Sequence, residues 1–73
     1  FPALSRLERR MVLYALDSME GFFTIKGLHE AFGEEISRAR ISALAKAWEA
    51  GELLTRKPRR VTYALRLLAE NDE

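Results

Sequence analysis

Apolar residues near the amino terminus recur at helical spacing on two sides of one segment. Ser5 and Glu8 have the spacing of a capping box, which predicts a helix that continues to about Met19. At about 100° per residue its apolar side chains form two stripes, Leu7, Met11 and Tyr14 on one side and Val12, Leu16 and Met19 on the other. Such a helix is expected to lie at the centre of the fold, packed from both directions. The alternative is that the second stripe forms a dimer surface.

Two shorter segments follow the same helical period, and each begins with a residue that suits an N-cap. Thr24 and Ser37 precede them, so helices are predicted at about 25–32 and 38–50. A glycine, the residue that commonly ends helices, comes directly after each one: Gly33 and Gly51.

After Gly51 the helical spacing gives way to alternation. Residues 53–55 are predicted to form a strand, and Pro58 marks a turn because it cannot donate to a strand ladder. Apolar and polar residues alternate over 60–65, which predicts a second strand that pairs back on the first. With a very short strand at 22–23, the expected fold is mainly α with a small β-hairpin, an α+β arrangement. The expected order is helix, short strand, two helices and two paired strands.

Composition indicates one small globular domain. The chain has 73 residues, of which 48% are hydrophobic and 32% charged, a balance that excludes a disordered segment. No apolar run approaches the roughly 20 residues that span a bilayer. Cysteine is absent, which fits a reducing compartment, and we expect the cytoplasm. We also expect a domain cut from a longer protein, with residues 1–4 as a linker remnant and 69–73 as a frayed acidic tail.

Positive charge is concentrated in one segment, although the formal net charge is only +1. Residues 53–66 contain five basic side chains and no acidic one: Arg56, Lys57, Arg59, Arg60 and Arg66. Such a segment attracts polyanions locally even on a nearly neutral domain. The alternative is that it is only a solvated loop.

The ordered set of elements resembles the winged helix-turn-helix family from about Leu4 to Leu68. The stretches that carry the resemblance are Phe23-Thr24-Ile25-Lys26-Gly27-Leu28, Ile36-Ser37-Arg38-Ala39-Arg40-Ile41 and Trp48-Glu49-Ala50-Gly51-Glu52-Leu53-Leu54. The resemblance implies binding to double-stranded DNA, with the third helix in the major groove and the hairpin wing on the backbone or in the minor groove. The parent protein would be a transcription regulator, a replication protein or a DNA motor.

Carried over to this chain, the resemblance assigns DNA contacts to the third helix and to the tip of the hairpin. The candidate DNA-binding residues are Lys26, Arg38, Arg40, Ser42, Lys46, Arg56, Lys57, Arg59 and Arg60. The outer face of the third helix is rich in alanine and serine, which read few base edges, so we expect backbone contacts to dominate. Alanine is also simply a strong helix former, and that explanation of the face stays open.

Catalysis is not expected. His29 is the only histidine, and Glu34 and Glu35 lie just before a predicted helix, where acids are favoured electrostatically. The spacing shows neither a metal-binding cluster nor a glycine-rich phosphate loop, so no metal or cofactor is expected. The alternative function is a protein-interaction module without DNA binding. It would associate through the alanine face or as a homodimer through Val12, Leu16 and Met19.

Overall fold

The computed structural model describes residues 4–71, and four α-helices form its framework. They are α1 (Arg6–Ser18), α2 (Ile25–Phe32), α3 (Arg38–Ala50) and α4 (Tyr63–Glu70).

The three N-caps predicted from the sequence are confirmed. The amide of Glu8 donates to Ser5 Oγ over 3.1 Å, and the amide of Ser5 donates to the Glu8 carboxylate over 3.0 Å, which completes the capping box. Thr24 and Ser37 each accept an amide hydrogen bond in the first turn of α2 and α3, both over 3.2 Å. These bonds satisfy amides that the start of a helix leaves without a partner.

Helix α1 is central, as its two apolar stripes predict. It packs against α4 and α2, and α2 also packs against α3. Val12 is completely buried, while Leu16 and Met19 are half-buried against the core. Because Val12 lies inside the fold, it is not part of a free surface, and a homodimer through this stripe stays an untested prediction.

The predicted β-hairpin is wrong, and so is the winged arrangement that depends on it. Over residues 4–71 the chain contains no β-strand, only isolated bridges between Phe22 and Arg60 and between Leu54 and Val61. The amides of Leu53 and Leu54 both donate to the carbonyl of Trp48, at the end of α3. Donors used in this way cannot form a continuous ladder with residues 60–65.

Residues 63–65, predicted to continue the second strand, belong to α4. The side chain of Thr62 accepts from the amide of Leu65 over 3.3 Å and caps this helix. Leu65 and Ala69, four residues apart, are buried against the core, whereas Tyr63 is exposed. Val61, Tyr63 and Leu65 therefore do not share one buried side of a strand, although the alternation in the sequence predicts that they do.

The structure describes only part of the two expected tails. Leu4 is half-buried and packs against the core, and α4 continues to Glu70. Residues 1–3 and 72–73, the remainder of the expected linker and acidic tail, lie outside the described residues.

The carboxyl end of α3 directs the following chain into the core. Gly51 is the C-cap, as predicted, but its φ is −86°, and Glu52 takes the left-handed conformation with a φ of 64°. The amide of Leu53 donates to the carbonyl of Trp48 over 2.8 Å, and the amide of Glu52 donates to the carbonyl of Glu49 over 3.1 Å. This Schellman arrangement reverses the chain and buries Leu53.

Candidate nucleic-acid interface

One side of α3 faces solvent along its length. Ile41, Ala45 and Trp48 are buried on its inner side, at helical spacing. The outer side, called here the α3 face, consists of five exposed residues: Arg38, Ala39, Arg40, Ala43 and Lys46. Ser42, also predicted to contact DNA, is half-buried at the edge of this face.

The α3 face carries positive charge that no carboxylate of the described residues neutralises. Among residues 4–71, Arg38, Arg40 and Lys46 form no ion pair with a carboxylate. Arg38 and Arg40 lie in the first turn, where the free amides and the helix dipole add positive potential. The small side chains of Ala39 and Ala43 between these cations allow a large partner to approach the helix closely.

Residues 55–60, called here the 55–60 loop, are held by one threonine. Thr55 Oγ1 donates to the carbonyl of Pro58 over 2.8 Å and accepts from the amide of Arg60 over 3.0 Å. Its amide also donates to the carbonyl of Arg60 over 3.0 Å. The loop so formed exposes Arg56 and Lys57, neither of which pairs with a carboxylate of the described chain.

The four cations predicted at a hairpin tip have three different environments. Arg56 and Lys57 are exposed and unpaired, as stated above. Arg59 is half-buried and donates from Nε to Glu49 Oε2 over 2.7 Å, so its charge is neutralised within the protein. The guanidinium of Arg60 lies over the ring of Phe22, 5.1 Å from its centroid. Arg60 keeps its charge there, because an aromatic ring does not neutralise a cation.

A shallow depression of about 540 Å³ connects the 55–60 loop with α2 and α3. Phe22, Phe23, Ile25 and Pro58 provide its apolar lining. The polar lining comes from Thr24, Glu49, Arg56, Lys57 and Arg59. Lys26, the next residue after Ile25, is exposed and has no carboxylate partner within the described range.

Arg66 belongs to the basic segment of the sequence, but it lies on α4 and pairs within that helix. Its Nε donates to Glu70 Oε2 over 2.9 Å, one helical turn later. This hydrogen bond, with the negative charge of Glu70, raises the pKa of Arg66. In the described residues α4 packs against α1 and not against α3. Arg66 is therefore a natural control position for variants of the α3 face.

The sequence does not predict that Glu49 pairs with Arg59, because the two residues are ten positions apart and lie on different elements. Glu49 lies at the edge of the buried side of α3, next to Trp48 in the chain, and an acid in that position is a weak signal for an ion pair.

The described residues show no group of three or more acidic or histidine side chains that could hold a metal ion. No helix between residues 4 and 71 has the length and hydropathy needed to cross a bilayer. The chain was compared with protein-family models, with curated proteins and with solved structures, and none of these comparisons gives a match.

Proposed function

We propose that this domain binds double-stranded DNA, mainly through the phosphate backbone, as part of a larger regulator, replication protein or DNA motor. The observation that carries the proposal is the α3 face, with three exposed cations that have no carboxylate partner in the described chain. When such cations neutralise the phosphates of a duplex, counterions condensed on the DNA are released. This release is the main source of non-specific affinity for DNA.

The shape of the α3 face supports approach to a groove. A major groove about 12 Å wide admits an α-helix, and Ala39 and Ala43 offer little steric obstruction. Arg38 and Arg40 are long enough to reach phosphates on either side or a guanine edge. Because alanine forms no hydrogen bonds with bases, discrimination between sequences rests on these two arginines and is modest.

The 55–60 loop supplies a second group of phosphate contacts through Arg56 and Lys57. Lys26 and Arg60 are the weaker candidates, and Ser42 contributes only from the edge of the α3 face. Arg59 is excluded from the proposed contacts while Glu49 holds it. A DNA-binding role also fits the cytoplasmic location expected for a chain without cysteine.

Protein binding without DNA is the second candidate, and one observation favours it. Tyr63 is 72% exposed and Leu67 is 49% exposed, and the two lie one turn apart on α4. Exposed apolar pairs of this kind occur at protein interfaces. They are outside the α3 face, so the two functions are separable by mutation.

A duplex titration across a series of salt concentrations tests the proposal. For the wild-type domain, the logarithm of the association constant should fall steeply with the logarithm of salt concentration. The double variant Arg38→Ala/Arg40→Ala should reduce the magnitude of that slope by about 2, one unit for each lost phosphate contact. Arg66→Ala is the matched control and should leave the slope unchanged. Absence of duplex binding, or an equal effect of the control, would refute the proposal.

A further inference from the structure

We propose that the depression beside the 55–60 loop binds an unpaired nucleotide, so that the domain prefers a duplex with a single-stranded extension to a blunt one. This inference rests on the proposed function and specifies the class of DNA. It is carried by the combination of an apolar floor, a cationic rim and a position next to the α3 face.

The floor of the depression offers an aromatic surface. Phe23 is fixed at the back, edge-to-face with Trp48 at a centroid distance of 5.3 Å, and is almost completely buried. Phe22 is half-buried and more accessible. Arg60 covers its ring but is not among the residues that line the depression. An accessible aromatic ring such as that of Phe22 stacks with bases of any sequence, whereas Phe23 is too buried to do so.

The rim of the depression selects for an anion. Arg56 and Lys57 both line it, and neither forms an ion pair with a described carboxylate. Glu49, which also lines it, is already paired with Arg59 over 2.7 Å. The remaining charge is positive, which complements a ligand with an apolar ring and a phosphate. A nucleotide combines both features.

The depression adjoins the proposed duplex surface. Glu49 on its wall follows Lys46 of the α3 face by three residues, about 4.5 Å along the helix axis. A strand that separates from a duplex near Lys46 would therefore meet the depression directly. An acidic peptide with an aromatic residue shares some of this chemistry, but its binding would not depend on a duplex held by α3.

The test compares a blunt duplex with the same duplex carrying a thymidine overhang that contains one 2-aminopurine. The wild-type domain should bind the tailed duplex about five- to tenfold more tightly, and stacking should quench the 2-aminopurine fluorescence. Phe22→Leu keeps the apolar volume but removes the ring, so it should abolish the gain and the quenching while affinity for the blunt duplex is retained. Tyr63→Leu, the same type of change at an exposed site on α4, should retain both the gain in affinity and the quenching.

Each outcome distinguishes this inference from the proposed function. If the blunt duplex binds but the overhang adds neither affinity nor quenching, the inference is refuted and the proposed function stands. If neither DNA binds, the proposed function itself fails. If an acidic peptide with one phenylalanine displaces the overhang more effectively than a free thymidine strand does, the depression is a peptide site and the inference is refuted. Should thermal unfolding show that Phe22→Leu does not fold, Phe22→Met, which also fills the site without an aromatic ring, replaces it with the same expected result.

Discussion

The guanidinium of Arg59 donates to the carboxylate of Glu49 over 2.7 Å and thereby connects the 55–60 loop to the last turn of α3. The side chains are 28% and 17% exposed, so the bond is partly shielded from water. It removes one cation from the basic segment and one anion from the flank of the α3 face. The loop is held in place, and its exposed charge is left to Arg56, Lys57 and Arg60.

Glu49→Gln should weaken the fold and strengthen DNA binding. Loss of the charge-assisted bond should lower the free energy of unfolding by about 1 kcal/mol, measured by urea denaturation. Release of the Arg59 cation, together with loss of a nearby anion, should raise duplex affinity about threefold at low salt. Glu70→Gln on α4 is the control and should leave duplex affinity unchanged. An unchanged affinity for Glu49→Gln would show that this flank does not face DNA.

The cap of α3 predicts an unusual pair of stabilising changes at adjacent residues. Glu52→Gly should raise the free energy of unfolding by about 1 kcal/mol, because a left-handed φ of 64° strains any residue with a Cβ. Gly51→Ala should raise it by about 0.5 kcal/mol, because a φ of −86° suits alanine and the unfolded chain loses freedom.

Gly21→Ala is a control with the opposite expected sign. Because Gly21 has a φ of +92°, its substitution should lower the free energy of unfolding by about 1 kcal/mol. The free energies come from urea denaturation of the three single variants. Destabilisation by Gly51→Ala as large as that of Gly21→Ala would contradict the assigned cap.

Thr62 distinguishes the observed helix from the strand predicted at the same residues. Its Oγ1 accepts from the amide of Leu65 and donates to the carbonyl of Leu53 over 2.8 Å. Thr62→Val loses both bonds and should cost about 2 kcal/mol of unfolding free energy, while Thr62→Ser should cost much less. Urea denaturation measures both values. A β-strand would favour valine at this position, so a neutral or stabilising Thr62→Val would argue against α4.

The helix starts were predictable because their chemistry is local. Ser5, Thr24 and Ser37 each bond to an amide three residues later, and no other part of the chain is needed to form that contact. Thr62 has the same local signal, but the alternation around it predicted a strand instead. Val61 and Leu65 lie four residues apart, a spacing that fits one side of a strand as well as one side of a helix.

The parts that could not be predicted depend on contacts between distant elements. The sequence does not indicate that the carbonyl of Trp48 takes the amides of both Leu53 and Leu54, which ends the possibility of a ladder. It also does not indicate that Arg59 meets Glu49 while Arg56 and Lys57 stay exposed. The charge pattern therefore locates the basic segment but does not indicate that Arg59 and Arg66 are paired within the protein.

The most direct test of the account is a titration of the isotopically labelled domain with a random-sequence duplex, monitored by amide chemical shifts. The amide signals of the α3 face, including those of Ala39, Ala43 and Lys46, should shift together with that of Lys57, and those of Tyr63 and Leu67 on α4 should not. Shifts confined to α4, or no shifts at low salt, would contradict DNA binding through the α3 face.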